Sequence, residues 1–301
     1  PWRTGGGIER RDQEAIAPYA SRARKGSAMQ RRKLDMGKAW TQATGLIGAN
    51  RDLVGVLAGV FLFLPVFVLM MALLSSGIDF GPQGGEPNPE RIAAQINALL
   101  VANWWSLLLV LIGQLCASIA ILSLLGDPGR PTVREVLQNL PRLLLPVLGA
   151  QLLIGLITQL PSLLAGLLPE LAEALVSFLL LPVTLYLTIK FSLAIAVIVL
   201  GSQRNPIEAL RRSWQLTKAN SFRLFGFFLM LTLLFMVIAL ILLLVVGLVF
   251  AALGDRVSLF GNAAFFALML TVFYTISYAL TVAIYRQLSQ PVPDGDADLF
   301  E

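Results

Sequence analysis

Six apolar runs divide the chain, at residues 53–75, 104–125, 143–166, 175–200, 224–253 and 263–285. Each is long enough to cross a hydrocarbon core of ~30 Å, which takes about 20 helical residues. Stretches such as LVGVLAGVFLFLPVFVLMMALL show none of the polar and apolar alternation that a barrel strand needs. The pattern predicts an all-α polytopic membrane bundle of six spans over residues 29–286. The fifth run exceeds what a span requires and is expected to tilt. Pro65, Pro146, Pro161 and Pro182 fall inside runs and are expected to kink them.

Before spans 1, 3 and 5 stands a short segment with helical periodicity and basic residues. The clearest is NPIEALRRSWQLTKAN, residues 205–220. Asn205 suits a cap, Pro206 the first helical position and Glu208 the first turn. Ile207, Leu210, Trp214 and Thr217 recur at helical spacing, opposite Glu208, Arg211, Arg212, Gln215 and Lys218. The pattern predicts an amphipathic helix on the cytoplasmic membrane surface, with Trp214 inserted and the arginines near headgroups. The second such prelude, PTVREVLQNLPR, has Thr132 and Glu135 in capping-box spacing, and the third is LDMGKAWTQATGLIGANRD. A shift of 170 positions pairs Ala39 with Ala209, Leu46 with Leu216, Ala49 with Ala219 and Asn50 with Asn220. The recurring order of helix, span, outer loop and span suggests three related hairpins.

Charge fixes the orientation. With the N-terminus inside, the external loops hold Arg91 and Arg256 and carry Asp79, Glu86, Glu90, Glu170, Glu173 and Asp255. Every other basic residue except Lys190 falls in cytoplasmic segments, which places both termini in the cytoplasm. The net charge of +5 therefore reports topology, and no nucleic-acid partner is expected. Residues 1–28, polar and without periodicity, are expected to be a disordered extension ahead of a natural start at Met29. The end of the chain, 287–301, reads as an acidic cytoplasmic tail.

The inventory excludes much chemistry. Without histidine and with the single cysteine Cys116 inside an apolar run, the chain offers no Ser-His-Asp triad, Cys-His pair or CxxC site. No catalytic residue, cofactor or metal is expected. Lys190 is the ionisable residue that falls well inside a run, and burying it costs at least about 2.5 kcal/mol. Two roles stay open for it. It could bind an anionic headgroup or substrate, helped by Tyr186, Thr188, Ser192, Gln114, Gln151 or Gln159, or it could snorkel or bond carbonyls freed by Pro182. The basic residues Arg211, Arg212 and Lys218, with Ser213, Trp214 and Asn220, form a second candidate set, facing lipid headgroups.

At NPIEALRRSWQLTKANSFRLFGFF the chain resembles the YciC-like group of bacterial inner-membrane proteins and is similar to the glycerophosphoryl diester phosphodiesterase membrane domain. The element that carries this is Ala-Leu-basic-x-Ser-Trp-x-Leu-x-basic-x-Asn, here Ala209, Leu210, Arg211, Ser213, Trp214, Leu216, Lys218 and Asn220. The resemblance implies the membrane part of such a protein without its catalytic domain, located in the inner membrane. The function expected is non-enzymatic: envelope organisation, or an accessory to a lipid-related or secretion process. The expected partners are the bilayer, including anionic headgroups, and a membrane protein or a second copy. The alternative is a transporter or lipid-handling protein with its site around Lys190.

Overall fold

The six apolar runs fold as six helical spans in the computed structural model, which describes residues 33–75, 89–127, 129, 132–201 and 203–289. The extension at 1–28 with Met29, most of the first outer loop and the tail beyond Ser289 lie outside the described residues. In chain order the helices are α1 (Met36–Ala49), α2 (Arg51–Ala58), a π-helix (Gly59–Phe63), α3 (Leu64–Leu74), α4 (Pro89–Ala102), α5 (Trp104–Gly126), α6 (Val133–Ala165), α7 (Glu170–Phe191), α8 (Ala194–Leu200), α9 (Pro206–Thr217), α10 (Ser221–Ala252) and α11 (Asp255–Ser289). Among the described residues there is no strand. Helix α4 occupies the outer connection of the first hairpin, where the sequence predicts no element.

The first span owes its irregular middle to one proline. Pro65 lacks the N–H that would bond Phe61, and its ring would strike that carbonyl. The chain answers with a π turn over Gly59–Phe63. The freed Phe61 oxygen lies directly against Gly113 of α5, where an added Cβ would collide with it and stand 2.8 Å from Pro65 Cγ. Spans 1 and 2 thus approach through a glycine, the usual means of close helix contact in a bilayer.

The three preludes differ from their predicted form. The second is the opening of α6: its capping box forms, with Thr132 Oγ1 accepting from the Glu135 amide and Glu135 answering the Thr132 amide. The helix then continues through Pro141, Pro146 and Pro161 without a separate surface segment. The first and third are separate helices, but each packs on a span, α1 on α11 and α9 on α8. In α9 the buried face is Ala209, Leu210, Ser213, Leu216 and Thr217, while Ile207 is 62% exposed. That face is turned by roughly 80° from the predicted one, at 3.6 residues per turn.

A common register underlies the three. Four residues after the caps Asp35, Thr132 and Asn205 stand Ala39, Val136 and Ala209, and after eight stand Ala43, Leu140 and Ser213; all six are buried. The 170-residue shift also relates backbone bonds. Asn50 N–H donates to Ile47 O at 3.1 Å as Asn220 N–H does to Thr217 O at 3.0 Å, and the Val54 and Leu224 amides donate to Asn50 O and Asn220 O, both at 2.9 Å.

Buried residues concentrate at one end of the bundle, in α5 from Leu115 to Leu125, in α8, in α9 and in α11 from Ala279 to Ile284. Three long-range ties close that end. The Leu34 amide donates to Asn220 Oδ1 at 2.9 Å, Arg223 Nη1 to Leu34 O at 3.3 Å, and the Asp35 amide to Gln287 Oε1 at 3.3 Å. Arg286 Nη2 donates to Leu125 O and Gly126 O at 2.9 and 3.0 Å, capping the last carbonyls of α5. The segment before α1, the α9–α10 turn and the end of α11 therefore meet, as an even number of spans requires. Toward the other end, α6, α7 and α10 expose leucine, valine and phenylalanine; none of the most apolar stretch of α10 is buried. Water would not tolerate that surface, whereas lipid tails are as apolar as leucine.

Gly113→Leu is expected to separate spans 1 and 2 at an overpacking cost of about 1–3 kcal/mol. The check is the thermal midpoint of the detergent-purified protein, which falls, while Gly45→Leu, whose Cβ meets nothing within 4 Å, leaves it within a degree or two.

Candidate functional site

The fourth run is not one helix. Helix α7 ends at Phe191, the chain turns at Ser192 and Leu193, and α8 resumes at Ala194. From Leu171 to Lys190 α7 covers about 29 Å at 1.5 Å per residue. Lys190 therefore stands in the last turn of a helix long enough by itself to cross a membrane, at the end whose dipole favours a cation.

The break frees carbonyls, and α9 takes one of them. Ser213 Oγ donates to Lys190 O at 2.7 Å, with Thr217 Oγ1 at 3.4 Å from the same oxygen. Ser192 Oγ donates back to Ile189 O at 2.8 Å. The Ser213 bond explains why the buried face of α9 includes Ser213 rather than Ile207, while Thr217 Oγ1 donates within α9 to Ser213 O at 2.9 Å and lies beside the same Lys190 oxygen.

This docking carries Trp214 onto the Lys190 side chain. The ammonium lies 5.2 Å from the ring centroids of both Tyr186 and Trp214. The two rings meet edge to face, 5.8 Å apart at 89°, and Phe191 abuts Trp214 at 5.8 Å. Tyr186 precedes Lys190 by four residues and so shares its helix face. Lys190 is 1% exposed, whereas Tyr186 is 47% exposed and forms the outer wall of the corner. The ion pairs among the described residues are Lys38–Asp35 and Arg51–Asp52; no carboxylate answers Lys190. Each ring contact returns about 0.5–2 kcal/mol, against the ~2.5–3.5 kcal/mol that burial of the charge costs. The rings thus offset the charge but do not accept its three N–H donors as oxygen would.

The other candidates sit elsewhere. Thr188 spends its hydroxyl on Thr184 O at 2.8 Å in its own helix. Gln114 faces Tyr278 of α11. Gln151 is half-buried and Gln159 exposed on α6, and neither bonds Lys190. Nor does Lys190 reach a carbonyl released by Pro182. In the second set, Ser213 and Asn220 are structural, clamping Lys190 O and the Leu34 amide respectively. Trp214 packs on Lys190, Tyr186 and Phe191 instead of projecting into lipid as the sequence predicts. Arg211 and Lys218 are exposed and Arg212 is half-buried. Phe191 and Thr217 belong to the site and were not singled out for it. The signal for Thr217 was its spacing of four from Ser213, which puts two hydroxyls on one helix face.

Among the described residues no group of three or more His, Cys, Asp or Glu could hold a metal ion. Cys116 is buried in the bundle as a small packing residue.

Comparison with known families gives one match, to the family described as membrane domain of glycerophosphoryl diester phosphodiesterase, over residues 141–295, just over half of the 301-residue chain. The match covers α6 from Pro141 through α11, and so includes Lys190, the α8–α9 hairpin and Trp214. No curated protein and no solved structure matches the chain.

Ser213→Ala removes the clamp on Lys190 O and is expected to cost about 1 kcal/mol. Trp214→Ala costs several-fold more and Trp214→Phe falls between, because phenylalanine keeps a ring over the ammonium. Thermal unfolding of the three purified variants in one detergent checks the order.

Proposed function

This chain belongs to the family of the membrane domain of glycerophosphoryl diester phosphodiesterase, and on that premise we propose that it is a non-enzymatic component of the bacterial cytoplasmic membrane. In this reading it organises the envelope or serves as an accessory to a lipid-related or secretion process. Both termini lie in the cytoplasm.

The observation that carries the reading is how the bundle treats Lys190, the one charged side chain buried among the described residues. A catalytic or ion-coupled site sets ionisable groups against one another so that protons can pass. Here Lys190 faces ring surfaces, and its main-chain oxygen is tied down by hydroxyls. Of the other buried polar side chains, Ser118, Thr158, Thr271 and Thr275 donate within their own helices, Ser106 donates to the Asn103 oxygen at the start of its helix, and Asn220 accepts from the Leu34 amide. Such a bundle has the means to hold its shape and present its surfaces, and among the described residues no acid is set against Lys190. The orientation rests on the basic residues beside Leu34, Asn220 and Gln287, at the end where the ties between helices gather.

Two measurements test this. Alkaline phosphatase fused within the outer loop near residue 80 is expected to be active, and fused after Gly126 inactive; the reverse pattern would invert the orientation. Purified protein in lipid nanodiscs is expected to release no glycerol phosphate from glycerophosphodiesters or phospholipids above the rate of empty discs, and sustained release would remove the non-enzymatic reading.

A further inference from the structure

We propose that the corner formed by Lys190, Tyr186 and Trp214 is a binding site for the phosphate of an anionic membrane lipid. The inference deepens the reading above by naming the ligand class and the residues that take it, and it rests on that reading only for the protein's place in the membrane.

Three features lead to it. First, the polar atoms at the corner are donors: the Lys190 ammonium, the Tyr186 hydroxyl and the Trp214 indole N–H, with no carboxylate paired to the lysine among the described residues. A phosphate, with several acceptor oxygens and negative charge, matches such a set, and a headgroup whose phosphate is accompanied by its own ammonium matches it less well, because that cation is repelled by Lys190. Second, the charge is already assembled and nearly dry at 1% exposure, and a charge-assisted hydrogen bond gains strength where water is excluded. Third, the corner has one exposed wall. Trp214 is held because its helix is clamped through Ser213 to Lys190 O, but Tyr186 is 47% exposed on the outer side of α7. A rotamer change of Tyr186 opens the ammonium sideways, toward the exposed faces of α7 and α10, where lipid lies. The rings hold the charge while the site is empty, and the phosphate takes the N–H donors that the rings leave unused.

The same oxyanion chemistry exists in free phosphate, so the test has two arms. In the first, the full-length protein in nanodiscs of equal phosphatidylglycerol and phosphatidylcholine is re-extracted and its retained lipids are read by native mass spectrometry. Wild type is expected to retain phosphatidylglycerol over phosphatidylcholine, Lys190→Arg to keep that preference, and Lys190→Met to lose it by roughly tenfold. Equal retention by monodisperse Lys190→Met, or no preference in wild type, overturns the proposal. In the second arm the delipidated protein is titrated with inorganic phosphate and followed by thermal midpoint. A Lys190-dependent rise with phosphate alone, without lipid preference in the first arm, overturns the lipid as source. Should Lys190→Met fail to purify as one species, Tyr186→Leu carries the test: it leaves the lysine and strips the outer wall with its hydroxyl, and unchanged lipid preference overturns the proposal. Hydrolysis of the retained lipid would overturn the non-enzymatic reading and leave the binding site standing.

Discussion

A helix broken inside a packed bundle must find partners for its loose backbone groups within the protein, because close packing keeps water from them. The bond from Ser213 to Lys190 O is where this constraint bears most heavily. It closes the break between α7 and α8, fixes which face of α9 docks, and thereby sets Trp214 over the Lys190 ammonium. Comparable closures hold the neighbouring joints, with Asn220 on the Leu34 amide and Arg286 on the last carbonyls of α5. The elements preceding the first and fifth spans thus dock on the bundle by one face and leave the other exposed.

The same economy accounts for the uneven packing. Where the short helices α1 and α9 dock, the docking face is small or hydroxylated and almost fully buried, as at Ala39, Ala43, Ala209 and Ser213. Where helices run unbroken, as through most of α10, the backbone satisfies itself and the side chains can face lipid. A buried lysine is tolerable at the junction of these regimes, since the break brings an aromatic helix within reach of its charge. That juxtaposition joins the family resemblance to a chemical possibility: the Ser-Trp pair of the motif supplies, in one step of the chain, the clamp and one of the two rings.

Much of this is legible in the sequence, for reasons that differ by element. The six spans follow from length and apolarity, and the capping box at Thr132 and Glu135 is local chemistry that survives in the fold. Tyr186 could be placed on Lys190 because four residues make one helix turn. Trp214 could not, since it arrives from another helix whose rotation depends on Ser213 bonding a carbonyl freed by a break that no glycine or proline marks at Ser192 and Leu193. Amphipathicity counted Ile207 as inward and the serine as neutral, so it turned α9 to the wrong face. The second prelude and the third run are separate segments in the sequence pattern, yet they form one helix through Pro141, since loss of one donor does not end a helix that its neighbours support. The weak 170-residue likeness gained weight only when Asn50 and Asn220 proved to hold matching backbone bonds.

The claim that α9 is docked by its small and hydroxylated face is tested most directly by thiol accessibility in inverted membrane vesicles. In a Cys116→Ala background, Ala209→Cys, at 0% exposure, is expected to resist a membrane-impermeant maleimide, while Arg211→Cys, on the exposed side, reacts readily. Equal and rapid labelling at both positions would mean that α9 lies free on the membrane surface, and would contradict the account.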